Sequence, residues 1–263
     1  MMDIIGYIAV VFVGVVLGLL GGGGSILAIP ILVYLFRVEP VLASAYSLFI
    51  VGITSLIGAI PKYREQLVSL RTGLVFGLPS IATIFFTRSV IVPAIPEIVV
   101  QFGSLVLTKR LLILGVFASL MLLASIPMIR GKREISSPNR RFRTLLVLVE
   151  GALIGFLTGF VGAGGGFLII PALVFLTGLQ FKTAVGTSLF IIAANSLFGF
   201  LGDVIYLPID WRLLISLTLV AVAGIFIGHY FSRRISQIRL RMAFGWLTLA
   251  TGILILLKET AVF

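Results

Sequence analysis

GLLGGGGSILAIP, Gly18 to Pro30, returns 141 residues later as GFVGAGGGFLIIP, Gly159 to Pro171. At that offset the chain aligns with itself without a gap from about Val13 to Arg71. Gly14, Gly18, Gly21, Gly23, Gly24 and Pro30 fall on Gly155, Gly159, Gly162, Gly164, Gly165 and Pro171. Further on, SLFI at Ser47 to Ile50 falls on SLFI at Ser188 to Ile191, Ser55 on Ser196, Gly58 on Gly199 and Arg71 on Arg212. Matches this dense and in register define an internal repeat. In each copy, glycines interrupt an apolar run and a short, proline-bearing apolar segment follows. Ile26 to Phe36 and Phe167 to Thr177 are too short to cross about 30 Å of hydrocarbon, so each half is expected to carry one broken or re-entrant helix.

The rest of the chain places these breaks in a bilayer. Of 263 residues, 60% are hydrophobic and 11% charged, and the mean hydropathy is +1.24, which marks an all-α integral membrane protein. Further spans are expected near Ile4 to Leu20, Val41 to Ile60, Thr72 to Val92 and Leu111 to Ile129. The second half repeats them at Thr144 to Val161, Thr183 to Leu201, Leu213 to Phe231 and Met242 to Leu257. Residues 1–129 form the first repeat and 144–263 the second, joined by the basic linker RGKREISSPNRRFR, 130–143. Ser89 to Arg110 exceeds its counterpart in length, and its prolines suggest an irregular loop or an interfacial helix.

The net charge of +11 resides in short loops without interleaved aromatics, which speaks against nucleic acid and for a lipid bilayer partner. With no cysteine and only His229, no disulfide, metal centre or other cofactor is expected. The N-terminus lacks a basic start and an Ala-x-Ala cleavage pattern, and is expected to stay in the mature chain. PKYREQLVSLR, Pro61 to Arg71, is basic, whereas its counterpart GDVIYLPIDWR, Gly202 to Arg212, carries Asp203 and Asp210. By the positive-inside rule the first loop and the linker face the cytoplasm, the second loop faces outside, and both termini lie outside. The two repeats then have inverted topology.

An inverted repeat with a broken helix in each half is the pattern of a secondary transporter, with substrate near the midplane. A helix restarting after glycines points unpaired N–H groups and the positive end of its dipole at the break, and binds anions without a charged side chain. Gly23, Gly24, Ser25, Gly164, Gly165 and Gly166 are the candidate lining, and Gly14, Gly18, Gly155 and Gly159, at four-residue spacing, are assigned to helix packing. Ser47, Thr187, Ser188 and Asn195 add hydroxyls and an amide within spans, Ser188 and Asn195 sharing one helical face as do Ser47 and Thr54. These line an anion pathway or serve as interhelical hydrogen bonds; the sequence leaves both readings open. Glu150, about 10 Å into its span, pairs with linker arginines at the interface or carries a coupling proton. His229 at a span end is an interface residue or a pH-sensitive gate.

These motifs resemble the sulfite exporter TauE/SafE family: the glycine-rich run ending in proline in each half, GAGGGFLIIPAL above all; AVGTSLFII followed by a polar mid-span residue; and the next span starting at Trp211 and Arg212. The resemblance covers nearly the whole chain. It implies transport of sulfur-containing anions such as sulfite or organosulfonates across a prokaryotic inner (plasma) membrane, usually outward. Ala45 and Tyr46 stand where the second half has Gly186 and Thr187, so the site is expected to be asymmetric. A passive anion channel is the alternative function. An intramembrane hydrolase is disfavoured, because no Gly-x-Ser-x-Gly signature accompanies His229. No Lys or Arg stands deep in any expected span, which favours a small anion of low charge, with Lys182 and Arg37 attracting it at the mouths. Neither the coupling ion nor the oligomeric state is legible.

Overall fold

The computed structural model describes residues 2–102, 105–130, 140–161 and 165–260. Helix α1 (Met2–Leu20) ends in a single tight 3₁₀ turn, Gly21–Gly24, from which α2 (Ser25–Tyr34) departs. Gly21 has φ 63°, a conformation open to glycine at little cost. The turn reverses the chain: a Cβ on Gly24 would overlap the Val13 carbonyl and Leu17, and the Phe36 ring lies edge-on to Tyr7 with centroids 5.9 Å apart. Residues 5–34 are continuous and apolar enough to rank among seven stretches capable of crossing a membrane, yet α2 folds back along α1.

Helix α3 (Pro40–Arg64) starts where proline and a capping carboxylate coincide: Glu39 accepts the backbone N–H groups of Val41 and Leu42, each at 3.0 Å. Helix α4 (Leu70–Phe86) continues through a π-helical turn, Thr87–Ile91, into the short α5 (Val92–Ala94). The segment expected to be a loop or interfacial helix is instead a β-hairpin, β1 (Ile98–Phe102) antiparallel to β2 (Leu105–Thr108). Pro96 follows the end of the helical run at Ala94, and Ile98 and Val99 supply β-branched side chains that favour a strand. Then come α6 (Lys109–Arg130), α7 (Arg140–Val161), α8 (Gly166–Leu176), α9 (Phe181–Asp203), α10 (Trp211–Ser232) and α11 (Gln237–Thr260).

Side chains sort as lipid demands. Leu78, Phe86, Leu123, Leu153, Leu219 and Trp246 face outward, while serines and threonines are buried among helices. Helices α3 and α9 form the centre, antiparallel, with Leu48 beside Gly199 at one end and Leu189 beside Gly58 at the other. Helix α1 packs along α10, α4 along α7 and α6 along α11. Glycines make the first two contacts possible: a Cβ on Gly14 or Gly18 would strike the carbonyl of Ala221 or Ile225, and one on Gly155 or Gly159 would press on Ser80 or Thr87. The packing assignment of these four glycines accords with that geometry.

Candidate functional site

Along the α3–α9 seam lies a set of polar atoms that the fold leaves without partners. The Oγ atoms of Ser47, Ser55 and Ser196, Thr54 Oγ1 and Asn195 Oδ1 are buried and accept or donate no hydrogen bond among the described residues. A buried hydroxyl or amide without a partner costs about 1–3 kcal/mol, so a cluster of them asks for a ligand or water. Thr54 and Asn195, equivalent at the 141-residue offset, lie close to the level at which Gly52 meets Ser196. Asn195 donates Nδ2 to Ser80 Oγ on α4 at 2.6 Å. Turning the amide over leaves Oδ1 to accept the serine proton and frees Nδ2 as a donor toward the seam.

The glycine breaks arrive at the same level from either side. Gly22 and Gly166 touch backbone to backbone, with Ile192 of α9 against Gly166. Gly23 faces the Phe244 ring, and a Cβ on Gly21 would stand 3.0 Å from Ser188 Oγ. Ser25 is buried and returns its hydroxyl to Gly22 O at 2.6 Å. Gly165 has φ 71° and precedes α8, and neither α2 nor α8 has a side-chain cap at its N-terminus. Gly24 has φ −69° and is required by the close approach of α1. Gly164 lies outside the described residues.

Two residues read as pathway hydroxyls are already engaged. Ser188 Oγ donates to Val185 O at 2.8 Å, and Thr187 Oγ1 accepts Ser69 N–H at 2.9 Å. Ser69 is the residue before α4, and at the opposite end Tyr46 Oη accepts the N–H of Asp210, whose side chain caps α10, at 2.7 Å. Tyr46 and Asp210 are the offset partners of Thr187 and Ser69, so the departure from the repeat at these positions preserves one hydrogen bond.

Charge is buried at both ends of the seam. Four residues from the end of the expected span Thr72 to Val92, Arg88 has no exposed surface and forms an ion pair with Asp203. Its Nε lies 2.9 Å from Asp203 Oδ2, its Nη2 2.9 Å from Ser44 Oγ, and its Nη1 3.3 Å from Gly159 O. At the other end Lys62, 4% exposed, donates to Ser232 Oγ at 2.9 Å, and Glu65 Oε1 lies 3.0 Å from Arg233 Nε and 3.4 Å from His229 Nε2. Lys62 and His229 are the offset partners of Asp203 and Arg88, the signal in the sequence that would have found the pair. Glu150 is half-buried with Oε2 unpartnered among the described residues. Lys182 is half-buried and Arg37 exposed.

Apolar helices broken near a buried polar seam are the architecture of a membrane transporter. The chain belongs to the sulfite exporter TauE/SafE family, which matches residues 7–255. Among its curated relatives are two proteins of Xylella fastidiosa strains, each called a probable membrane transporter protein. They are 29% and 30% identical over 256 residues, covering 95% of this chain and 93% of each relative. The probable membrane transporter protein YdhB of Bacillus subtilis is 26% identical over 243 residues, covering 92% of this chain and 96% of its own. No solved structure matches the chain.

Proposed function

We propose that this transporter exports small sulfur oxyanions, sulfite or short organosulfonates, across the inner membrane by alternating access between two inverted repeats. The observation that carries the reading is the set of unpartnered buried hydroxyls and the Asn195 amide where α3 and α9 pack beside two broken helices. A small anion offers several acceptor oxygens to such donors and to the N-termini of α2 and α8. The binding set is Gly23, Gly24, Ser25, Ser47, Gly164, Gly165, Gly166, Ser188 and Asn195, with Thr187 fixing the approach of Ser69. The family description names sulfite export, and that direction is adopted for this chain.

Two symmetries support the inverted repeat. Exchanging the halves turns the α1–α10 contact into the α7–α4 contact and maps α3–α9 and α6–α11 onto themselves. It also turns the Tyr46–Asp210 hydrogen bond into Thr187–Ser69. Glu150 is the proposed proton carrier and His229, beside Glu65, a proposed pH-sensitive gate.

Purified protein in liposomes tests the function. Efflux of sulfite or methanesulfonate that depends on a proton gradient, with weak inhibition by phosphate, is the expected result. Gradient-independent flux would make the protein a passive channel, and flux of a cation or sugar without response to any sulfur oxyanion would sink the reading.

A further inference from the structure

The buried guanidinium of Arg88 lies where four helices meet. Arg88 stands two helical turns beyond Ser80 on α4, and Asp203 the same distance beyond Asn195 on α9. The two helices are joined along this line by Ser80 to Asn195, then Ile84 against Gly199, then Arg88 to Asp203. The ion pair thus lies about 12 Å along the seam from Asn195, while Ser47, also unpartnered, stands one turn from the Ser44 that Arg88 binds. Its donors also reach Ser44 on α3 and the Gly159 carbonyl on α7, so one side chain gathers all four helices around this end of the seam.

The way the pair is made matters as much as where it lies. Both Nε and Nη2 of Arg88 converge on the single oxygen Oδ2 of Asp203, rather than forming the two parallel bonds that a guanidinium and a carboxylate favour. Asp203 is the last residue of α9, and one turn further on Ile205 and Tyr206 are 72% and 63% exposed. Asp203 thus stands beside an exposed helix end, whereas Arg88 is held from four helices. If the carboxylate leaves, the guanidinium is a buried, uncompensated cation, a costly state that another oxyanion relieves. Sulfite and sulfonate groups offer oxygens to the same fork.

We propose that Arg88 is a substrate-binding residue and that Asp203 holds its place in the empty transporter: the transported oxyanion displaces the Asp203 carboxylate from the Arg88 guanidinium, and the carboxylate returns when the anion leaves. This rests on the proposed anion transport and adds to it a cation at the Ser47 end of the seam, eight residues along α9 from Asn195. In the displaced state the anion neutralises Arg88 while Asp203 faces water, so no unpaired charge is left inside.

Thermal stabilisation of the purified protein by sulfite, methanesulfonate, acetate and phosphate, read beside liposome flux, tests the exchange. Asp203→Asn leaves the cation without its competitor; the oxyanion that stabilises the wild type is expected to bind about tenfold more tightly, with slower release. The double variant Arg88→Gln with Asp203→Asn removes both buried charges, so the fold survives while anion stabilisation and saturable flux are lost. A double variant that keeps wild-type binding and flux overturns the proposal. So does a D203N protein with no gain in anion affinity, or one that fails to fold and is not rescued by any of these anions. Stabilisation of the wild type by acetate alone, enhanced in D203N, would retain Arg88 as an oxyanion ligand and reject the sulfur substrate. No response of any protein to any anion would reject both.

Discussion

At Gly165 the backbone itself calls for glycine. Its φ of 71° is one that side chains adopt at a cost of about 1–2 kcal/mol, and a Cβ there would also press on Thr158. Gly165→Ala is expected to lower detergent stability by about that amount plus the steric part, and adding Thr158→Ala should recover the steric part alone. An unchanged thermal midpoint in G165A would show that the left-handed conformation is not needed. Gly24, read from the sequence as its twin, is glycine for another reason, since α1 lies where its Cβ would be. Spacing reveals that glycine is repeated, but whether a backbone angle or a neighbour demands it is decided by the packed helix opposite. Arg88 escaped notice for a related reason. Inside the apolar run Thr72 to Val92 one basic residue reads as a span boundary, and its partner Asp203, more than a hundred positions away, reads as part of an external loop.

Among the elements, the apolar runs between loops were legible to within about a turn and a half at either end, because hydropathy and the repeat agree on them. The hairpin was not, since nothing in the second half echoes it and its prolines fit several irregular structures. The hydrogen bonds that start α4 and α10 show how a repeat drifts while its structure holds. Tyr46→Phe should cost about 1 kcal/mol and increase hydrogen exchange at the beginning of α10. Thr187→Val should do the same at the beginning of α4, while Thr187→Ser should not. Loss of transport in T187V with exchange at α4 unaltered would return Thr187 to direct contact with substrate. For the seam itself, Asn195→Leu is expected to abolish flux with the fold intact, because it removes the amide and replaces it with a side chain of comparable bulk; wild-type flux in N195L would make the amide an interhelical contact only.

At the scale of the whole molecule, the absence of native cysteine gives a direct test of orientation. Cysteines at Gln66 and Tyr206, both exposed, should be reached by an impermeant thiol reagent from opposite sides, Tyr206 from outside intact cells. Asp203 itself is unsuitable, since a cysteine there would break the buried ion pair. Labelling of both positions from outside would refute inverted topology. Coupling is a second whole-molecule property: Glu150→Gln should flatten the pH profile of flux and leave anion binding intact, and an unchanged profile would assign Glu150 to the interface.

The two glycine-lined contacts differ in a way that bears on how the halves move. Where α1 meets α10, the carbonyls of Ala221 and Ile225 rest on Gly14 and Gly18, and those of Val11 and Val15 rest on Gly224 and Gly228. Both surfaces are nearly bare backbone. At the equivalent places α4 presents Thr83 and Thr87 to α7, and Thr83 Oγ1 is fastened to Ala152 O at 2.9 Å. Bare surfaces slip without any rotamer changing, whereas toothed ones must unlock first. In the proposed alternating access the α1–α10 contact is the expected sliding jaw, tied by Tyr7 Oη to Ser216 Oγ at 3.0 Å, and the α4–α7 contact the notched one, which Thr83→Gly is expected to loosen.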